Sequence, residues 1–91
     1  MTFRAGDTVK HHPSGETWIL ACDQEQDYVL PRGSTEQMVK ASDCELVTAA
    51  SYDERREMLQ RVMSSTSHGL RVQLATRQWT GLQLAETKGR A

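Results

Sequence analysis

The chain has 91 residues, 37% of them hydrophobic and 25% charged, which is compatible with a soluble globular protein. A chain of this length holds one domain, or one domain with an appendage, and buries only a small core. Its longest apolar stretch, residues 18–22, is far shorter than a membrane span, and its first residues carry no secretory signal. We therefore expect a cytoplasmic protein without membrane contacts, and the net charge of −1 argues against non-specific binding of nucleic acid.

Short apolar runs between turn residues predict five strands in the first half of the chain. The predicted strands are residues 8–11, 17–22, 28–30, 37–40 and 45–47. Strands this short, joined by short turns, predict a closed or nearly closed small barrel over residues 1–50, because closure leaves no long unpaired edge. The predicted core of this barrel consists of Phe3, Val9, Trp18, Leu20, Val29, Met38 and Leu46, with Ile19 and Val47 as further candidates.

After residue 50 the hydrophobic period changes from two residues to about 3.6 residues, which predicts helices. Ser51 and Glu54 have the spacing of a capping box, so a helix over residues 52–63 should follow. Glu57 lies four residues before Arg61, the favourable order for an ion pair on a helix. An isolated helix of this length is marginal in water, so one face should pack on the barrel. That face carries Tyr52, Leu59 and Val62.

The segment from residue 68 to residue 84 allows two interpretations. Leu70, Val72 and Leu74 alternate as in a strand, whereas Val72, Ala75 and Trp79 have helical spacing. We favour a second short helix over residues 68–79, because most of its residues are good helix formers. The predicted organisation is thus a barrel over 1–50, a helical extension over 51–84 and a disordered tail over 85–91.

Charge is distributed unevenly between these parts. Residues 1–50 contain four Lys or Arg and eight Asp or Glu, a net charge of −4, whereas residues 51–91 contain seven basic and four acidic residues, a net charge of +3. We expect the two halves to compensate each other within the molecule, and attraction of a charged partner is the alternative.

Three sequence segments together resemble a known group of proteins. They are Phe-Arg-Ala-Gly-Asp-Thr-Val at 3–9, Pro-Ser-Gly-Glu-Thr-Trp at 13–18 and Ser-Asp-Cys-Glu-Leu-Val at 42–47. In this order they resemble small phage and prophage proteins with an SH3-like barrel, and the resemblance covers about half of the chain. It implies a mainly β fold, a five-stranded SH3-like barrel followed by one or two short helices, and a phage origin. It implies no activity and no site residues.

No constellation of residues predicts a catalytic centre, a metal site or a cofactor. The residues of metal-binding type are His11, His12, Cys22, Cys44 and His68. They lack the paired spacing of structural zinc sites, and adjacent histidines on a strand point to opposite faces. Cys44 could act as a nucleophile only if the fold brought a histidine beside it. We expect both cysteines to be free thiols and the protein not to be an enzyme.

Aromatic and basic side chains are the candidates for contacts with a partner. These candidates are Trp79, Arg71, Arg77, Trp18 and Tyr28. A place in the core is the alternative for Trp18, and docking of the second helix is the alternative for Trp79. We predict a binding module for another protein, of host or phage origin, that could modulate a host or defence protein. Binding of nucleic acid by the basic C-terminal segment is the alternative, and a homodimer through that segment is a third possibility.

Overall fold

The computed structural model describes residues 2–32, 38–65 and 69–89. Its elements in chain order are β1 (Thr8–His11), β2 (Thr17–Ile19), β3 (Tyr28–Val29), β4 (Val39–Lys40), a 3₁₀ turn (Ala41–Asp43), β5 (Cys44–Thr48), α1 (Tyr52–Met63) and α2 (Leu70–Gly89). All five predicted strands are present, within one or two residues of their predicted positions for β1, β3 and β5. The predicted second strand is shorter, because it ends at Ile19.

The strands form two small antiparallel sheets, with the order β2–β1–β5 in one and β3–β4 in the other. Among the described residues, the backbone pairing between the two sheets consists of one isolated β-bridge, between Leu20 and Pro31. One backbone hydrogen bond lies on either side of this bridge. Proline has no N–H group to continue a ladder, and β3 and β4 have only two residues each. The prediction of a mainly β, closed SH3-like barrel is therefore wrong. In residues 2–32, 38–65 and 69–89, the protein is a small mixed α/β domain with two sheets and two helices.

A first core lies between the sheets. Its buried members are Phe3, Val9, Leu20, Val29 and Ala41, and Val39, Cys44 and Leu46 pack against them. The prediction is wrong for Ile19, Met38 and Val47, which are exposed, and for Trp18, which is half-buried and belongs to neither core cluster. Val9 points into the first core. Because side chains alternate along a strand, the residues on either side of Val9 in β1 point to the opposite face of the sheet. The residues that pair with them on the neighbouring strands point to that opposite face as well.

A second core joins the helices to the β half. Its buried members are Ala5, Ala21, Cys22, Met58, Leu59, Ala75 and Leu82, and partly buried side chains of both helices pack against them. Residues before β1, residues after β2 and both helices contribute to this one cluster. The helices and the strands are therefore parts of one folding unit.

Helix α1 has the predicted bounds and the predicted cap. Glu54 N–H donates to Ser51 Oγ at 3.1 Å, and Ser51 N–H donates to Glu54 Oε1 at 2.9 Å. The predicted ion pair is also present, with Arg61 and Glu57 2.9 Å apart. On the predicted packing face Leu59 is fully buried, whereas Tyr52 is 48% exposed and its hydroxyl donates to Glu86 of α2.

Helix α2 confirms the helical interpretation and is longer than predicted. It begins at Leu70 and continues to Gly89, so residues 85–89, which we expected to be disordered, are helical. The reason is tertiary packing, because Leu82 is buried in the second core and Glu86 contacts α1. His68 and residues 90–91 lie outside the described residues. Neither α1 nor α2, as described, has the length and apolar character needed to cross a membrane.

Candidate partner-binding cleft

The acidic loop after β2 is bound by side chains of both helices, and Asp23 is its centre. The Asp23 carboxylate is 8% exposed. It accepts hydrogen bonds from Arg55 Nε at 3.0 Å, from Arg55 Nη2 and from Ala5 N–H at 2.8 Å. Arg4 lies 3.9 Å away on the same side. The Asp23 backbone N–H donates to Gln78 of α2 at 2.8 Å. One carboxylate thus joins the N-terminal segment, α1 and the loop.

Glu25, in the same loop as Asp23, also contacts side chains of α2. Arg77 donates to its carboxylate at 2.6 Å and Gln78 at 3.2 Å. These hydrogen bonds, the one from Arg77 first, lower the pKa of Glu25. These contacts confirm the expected charge compensation between the acidic and the basic half of the chain. Arg77, a predicted partner-binding residue, is engaged within the molecule.

Trp79 lies beside a chain of polar contacts between α1 and α2. The Arg56 guanidinium is 5.2 Å from the centroid of the Trp79 ring, a cation–π arrangement. Arg56 Nε is 3.2 Å from Glu86 Oε1, an ion-pair distance without the alignment of a hydrogen bond. The Tyr52 hydroxyl donates to the same Glu86 oxygen at 2.5 Å, which raises the pKa of Tyr52. These contacts fix the position of Arg56 against the indole.

An open cleft of about 520 Å³ lies next to Trp79, and we call it the α1–α2 cleft. Its lining residues are Glu57, Gln60, Arg61, Met63 and Ser64 from α1 and Trp79 from α2. Met63 and Trp79 are half-buried and pack against the second core, so they form an apolar floor. Gln60 and Ser64 are exposed neutral polar groups of the lining, and the two charged residues that line it within the described part of the chain, Glu57 and Arg61, are paired with each other.

The structure does not bring the five predicted partner-binding residues together. Tyr28 lies on β3 opposite Lys40, with 39% of its surface exposed. Trp18 is half-buried on β2 and stacks on His11 at 4.7 Å between ring centroids. Arg71 is half-buried at the start of α2, and its backbone carbonyl accepts a hydrogen bond from the Cys22 thiol at 3.5 Å. Of the five residues, only Trp79 lines the cleft.

Five lining residues were missed by the sequence interpretation, and all of them lie on α1. The signal that could have found them is their spacing. Glu57, Arg61 and Ser64 recur at intervals of four and three residues, and Gln60 and Met63 lie on the adjoining row. Residues so spaced share one face of a helix, but only the packing of α2 along that face makes it the wall of a cleft.

The two cysteines are free, as expected, and neither has the environment of a nucleophile. Burial raises the pKa of the Cys22 thiol to about 12, and burial also raises the pKa of Cys44. Cys44 lies opposite His11 in the β1–β5 register, and its thiol donates to the Lys40 carbonyl at 3.6 Å, whereas His11 Nδ1 is hydrogen-bonded to Ser14 Oγ at 2.8 Å. Within residues 2–32, 38–65 and 69–89, no three His, Cys, Asp or Glu side chains are grouped as metal ligands.

Comparison with known proteins adds no relative to this description. The chain matches no family model, no curated protein and no solved structure. The resemblance to small phage and prophage proteins therefore stays a prediction from the sequence.

Proposed function

We propose that this protein is a non-enzymatic binding module that takes a side chain of another protein into the α1–α2 cleft. The observation that supports this function is the cleft itself, an open depression of about 520 Å³ in which half-buried Trp79 and Met63 meet between the helices. Its floor contains a tryptophan, the residue type most enriched among side chains that dominate binding energy at protein interfaces. The raised pKa of both thiols supports the non-enzymatic part of the proposal.

Binding of nucleic acid has less support from the arrangement of charge. In the described part of the helices, the following arginines form ion pairs with carboxylates of the same molecule: Arg55, Arg56, Arg61 and Arg77. A phosphate backbone would have to displace these carboxylates before it gained the counterion-release energy that drives such binding. We also propose a cytoplasmic location, which two free thiols support, because cysteines stay reduced in that compartment.

Affinity capture from a nuclease-treated lysate tests the proposal with two matched variants. Gln60→Arg places a long charged side chain at the rim of the cleft, and Gln73→Arg places the same side chain at an exposed position of α2 outside the cleft. We expect proteins captured by the wild type and by Gln73→Arg to be lost with Gln60→Arg. Identical capture by all three chains would contradict the proposal.

A filter-binding measurement separates the nucleic-acid alternative. A protein that binds DNA or RNA through a basic segment weakens steeply between about 50 and 200 mM salt. We expect no binding of either nucleic acid at the lower salt concentration. Binding there that falls with a steep salt slope would support the alternative function instead.

A further inference from the structure

We infer that the outer edge of β5 is a second interaction surface, at which an extended segment of another protein adds a strand beside Leu46 and places a basic residue opposite Glu45. This edge lies on the β half and shares no residue with the α1–α2 cleft, so the inference goes beyond the proposed function. It follows from the order of the strands, from the direction of the backbone groups of β5 and from the charge of Glu45.

β5 is an edge strand of the three-stranded sheet, because the strand order is β2–β1–β5. With five residues it is also the longest strand in the described part of the chain. The opposite edge, on β2, is already used, since the Ile19 carbonyl accepts a hydrogen bond from Arg32 N–H at 2.7 Å. An edge strand presents a row of N–H and C=O groups, and the backbone of another extended segment matches their spacing.

The pairing with β1 determines which backbone groups of β5 point away from the sheet. The His12 N–H donates to the Asp43 carbonyl at 2.9 Å, which continues the register of the β1–β5 pairing. Hydrogen-bonded positions alternate with non-bonded positions along an antiparallel ladder, so Glu45 is bonded to β1 and Leu46 is not. The N–H and C=O groups of Leu46 therefore point outward, away from β1.

The outward groups at Leu46 are available to an added strand. In the described part of the chain, no hydrogen bond engages the N–H or the C=O group of Leu46, or the C=O group of Cys44. The Cys44 N–H is already used, because it bonds to the Ala41 carbonyl. The Leu46 side chain packs against the first core, so a residue that pairs with Leu46 would also cover the edge of that core.

The charge of Glu45 favours another protein over a second copy of this chain. Glu45 is exposed, and its contact with His12, at 3.6 Å, comes from the side of β1. In a two-fold pairing of two copies about Leu46, the two Glu45 side chains would be diagonal neighbours, roughly 7–8 Å apart, and would repel each other. A different strand can place a lysine or an arginine directly opposite Glu45, where opposite charges stabilise the pairing.

Amide hydrogen exchange of the full-length protein, followed by NMR, tests whether the edge is open. Glu45 and Leu46 are neighbours on one strand, so global unfolding exposes both amides equally. After correction for intrinsic rates, we expect the Leu46 amide to exchange at least about tenfold faster than the Glu45 amide, because the Glu45 N–H is bonded to β1. Equal protection of the two amides at low protein concentration would show that the edge is already covered and would refute the inference.

Peptides that bind the full-length protein supply the added strand. A display library of random twelve-residue peptides is selected on the protein, and binding is measured with the wild type, Glu45→Lys and Glu16→Lys. Glu16 is an exposed glutamate before β2, so its substitution is a matched reversal of charge away from β5. We expect the peptides to share a basic residue, to protect the Leu46 amide, and to bind Glu45→Lys about tenfold more weakly than the other two chains. Equal binding to all three chains would refute a basic residue opposite Glu45.

N-methylation of the selected peptides, one residue at a time, tests the extended geometry. Alternate N–H groups of a strand face the same neighbour, so methylation at every second residue should weaken binding about tenfold or more. Methylation at the intervening residues should leave binding nearly unchanged. A loss without this alternation would refute strand addition, and so would the absence of any selected peptide that protects the Leu46 amide. Thermal melts of each protein variant confirm that it is folded.

Two further outcomes identify a different occupant or a different surface. Peptides weakened by Gln60→Arg but not by Glu45→Lys would support the α1–α2 cleft and refute the edge of β5, so the inference and the proposed function fail separately. Light scattering over a range of concentrations detects self-association. A dimer in which the Leu46 amide is protected would show that a second copy covers the edge, and would refute another protein as its occupant.

Discussion

At the scale of single residues, Asp23 forms a buried ion pair and several hydrogen bonds. Its carboxylate is buried, and it is paired with an Arg55 side chain that is itself only 18% exposed. Removal of one partner from such a pair leaves the other as an uncompensated charge in a poorly solvated position. The contact therefore has a different energetic character from the exposed pair of Glu57 and Arg61.

We predict that Asp23→Asn lowers the free energy of unfolding by about 3 kcal/mol, because Arg55 keeps its buried position and loses its counter-charge. Chemical denaturation followed by circular dichroism measures the loss. Glu57→Gln is the matched control, since it breaks an exposed pair spaced four residues apart, and it should cost about 0.5 kcal/mol or less. Equal losses in the two variants would show that the Asp23 contact is no stronger than a surface ion pair.

A second prediction at this scale concerns the thiols. Cys22 is buried and its pKa is raised to about 12, so at pH 8 nearly all of it is protonated and shielded from reagents. We expect a thiol-specific reagent at that pH to modify Cys22 far more slowly than Cys44, which is only partly buried, and mass spectrometry of peptides gives the two rates. Both residues should react fully in denaturant. Rapid modification of Cys22 in the native protein would contradict the buried position.

At the scale of elements, the entry to β1 packs closely against the start of α1. Gly6 has a φ of +87°, and a Cβ atom there would lie 3.0 Å from the Ala50 side chain. Asp7, the next residue, accepts a hydrogen bond from Ala50 N–H at 2.7 Å. This hydrogen bond holds the segment before β1 close to Ala50. The positive φ at this position favours glycine, and any larger residue would also have to displace the Ala50 side chain slightly.

We predict that Gly6→Ala destabilises the protein by more than Gly15→Ala does. Gly15 also has a positive φ, of +73°, but a Cβ atom there has no neighbour within 4 Å, so its substitution costs only the backbone strain of about 1–2 kcal/mol. The additional loss of unfolding free energy in Gly6→Ala measures the cost of the steric contact with Ala50. Urea denaturation of both variants gives the difference, and equal losses would show that the close approach carries no energy.

Gly81 should behave in the opposite way. Gly81 lies inside α2, on its exposed side, and a Cβ atom there would have no neighbour within 4 Å. Because glycine costs about 1 kcal/mol relative to alanine inside a helix, Gly81→Ala should stabilise the protein by about that amount. A higher midpoint of thermal unfolding would confirm it. An unchanged or lower midpoint would indicate that α2 contributes little to the cooperative unit.

At the scale of the whole molecule, the helices complete the core of the strands. Leu59 of α1 is fully buried by residues from the β half and from α2, and Ala75 and Leu82 of α2 belong to the same cluster. The last strand is followed at once by α1, and the two-stranded sheet β3–β4 is too small to be stable alone. The integrity of the β half therefore depends on α2.

We predict that a chain ending at Ser64 does not fold cooperatively. It would expose Leu59, Ala21 and Cys22 to water and would lose the Gln78 contacts with the loop at Asp23. A broad thermal transition and binding of a hydrophobic dye would be the measurable result. A sharp transition close to that of the full chain would show that the strands and α1 form a stable unit without α2.

Local features of this protein were predictable from sequence because their causes are local. The bounds of α1 follow from the Ser51–Glu54 capping box, and the strand positions follow from alternation and turn residues. The inward position of Val9 and Leu20 also follows from alternation. The expected balance between an acidic half and a basic half required only a count of charges, and the Arg77–Glu25 pair is one example of it.

Long-range features were decided only by the tertiary structure. Whether the strands close into a barrel depends on ladder bonds between residues far apart in the chain, and Pro31 stands where such a ladder would continue. The continuation of α2 past residue 79 depends on the burial of Leu82 and on the contact of Glu86 with α1, which helix propensity does not encode. The cleft beside Trp79 exists because two helices meet with Arg56 between them. Sequence periodicity fixes which face of each element is apolar, but the free energy of packing chooses which faces meet.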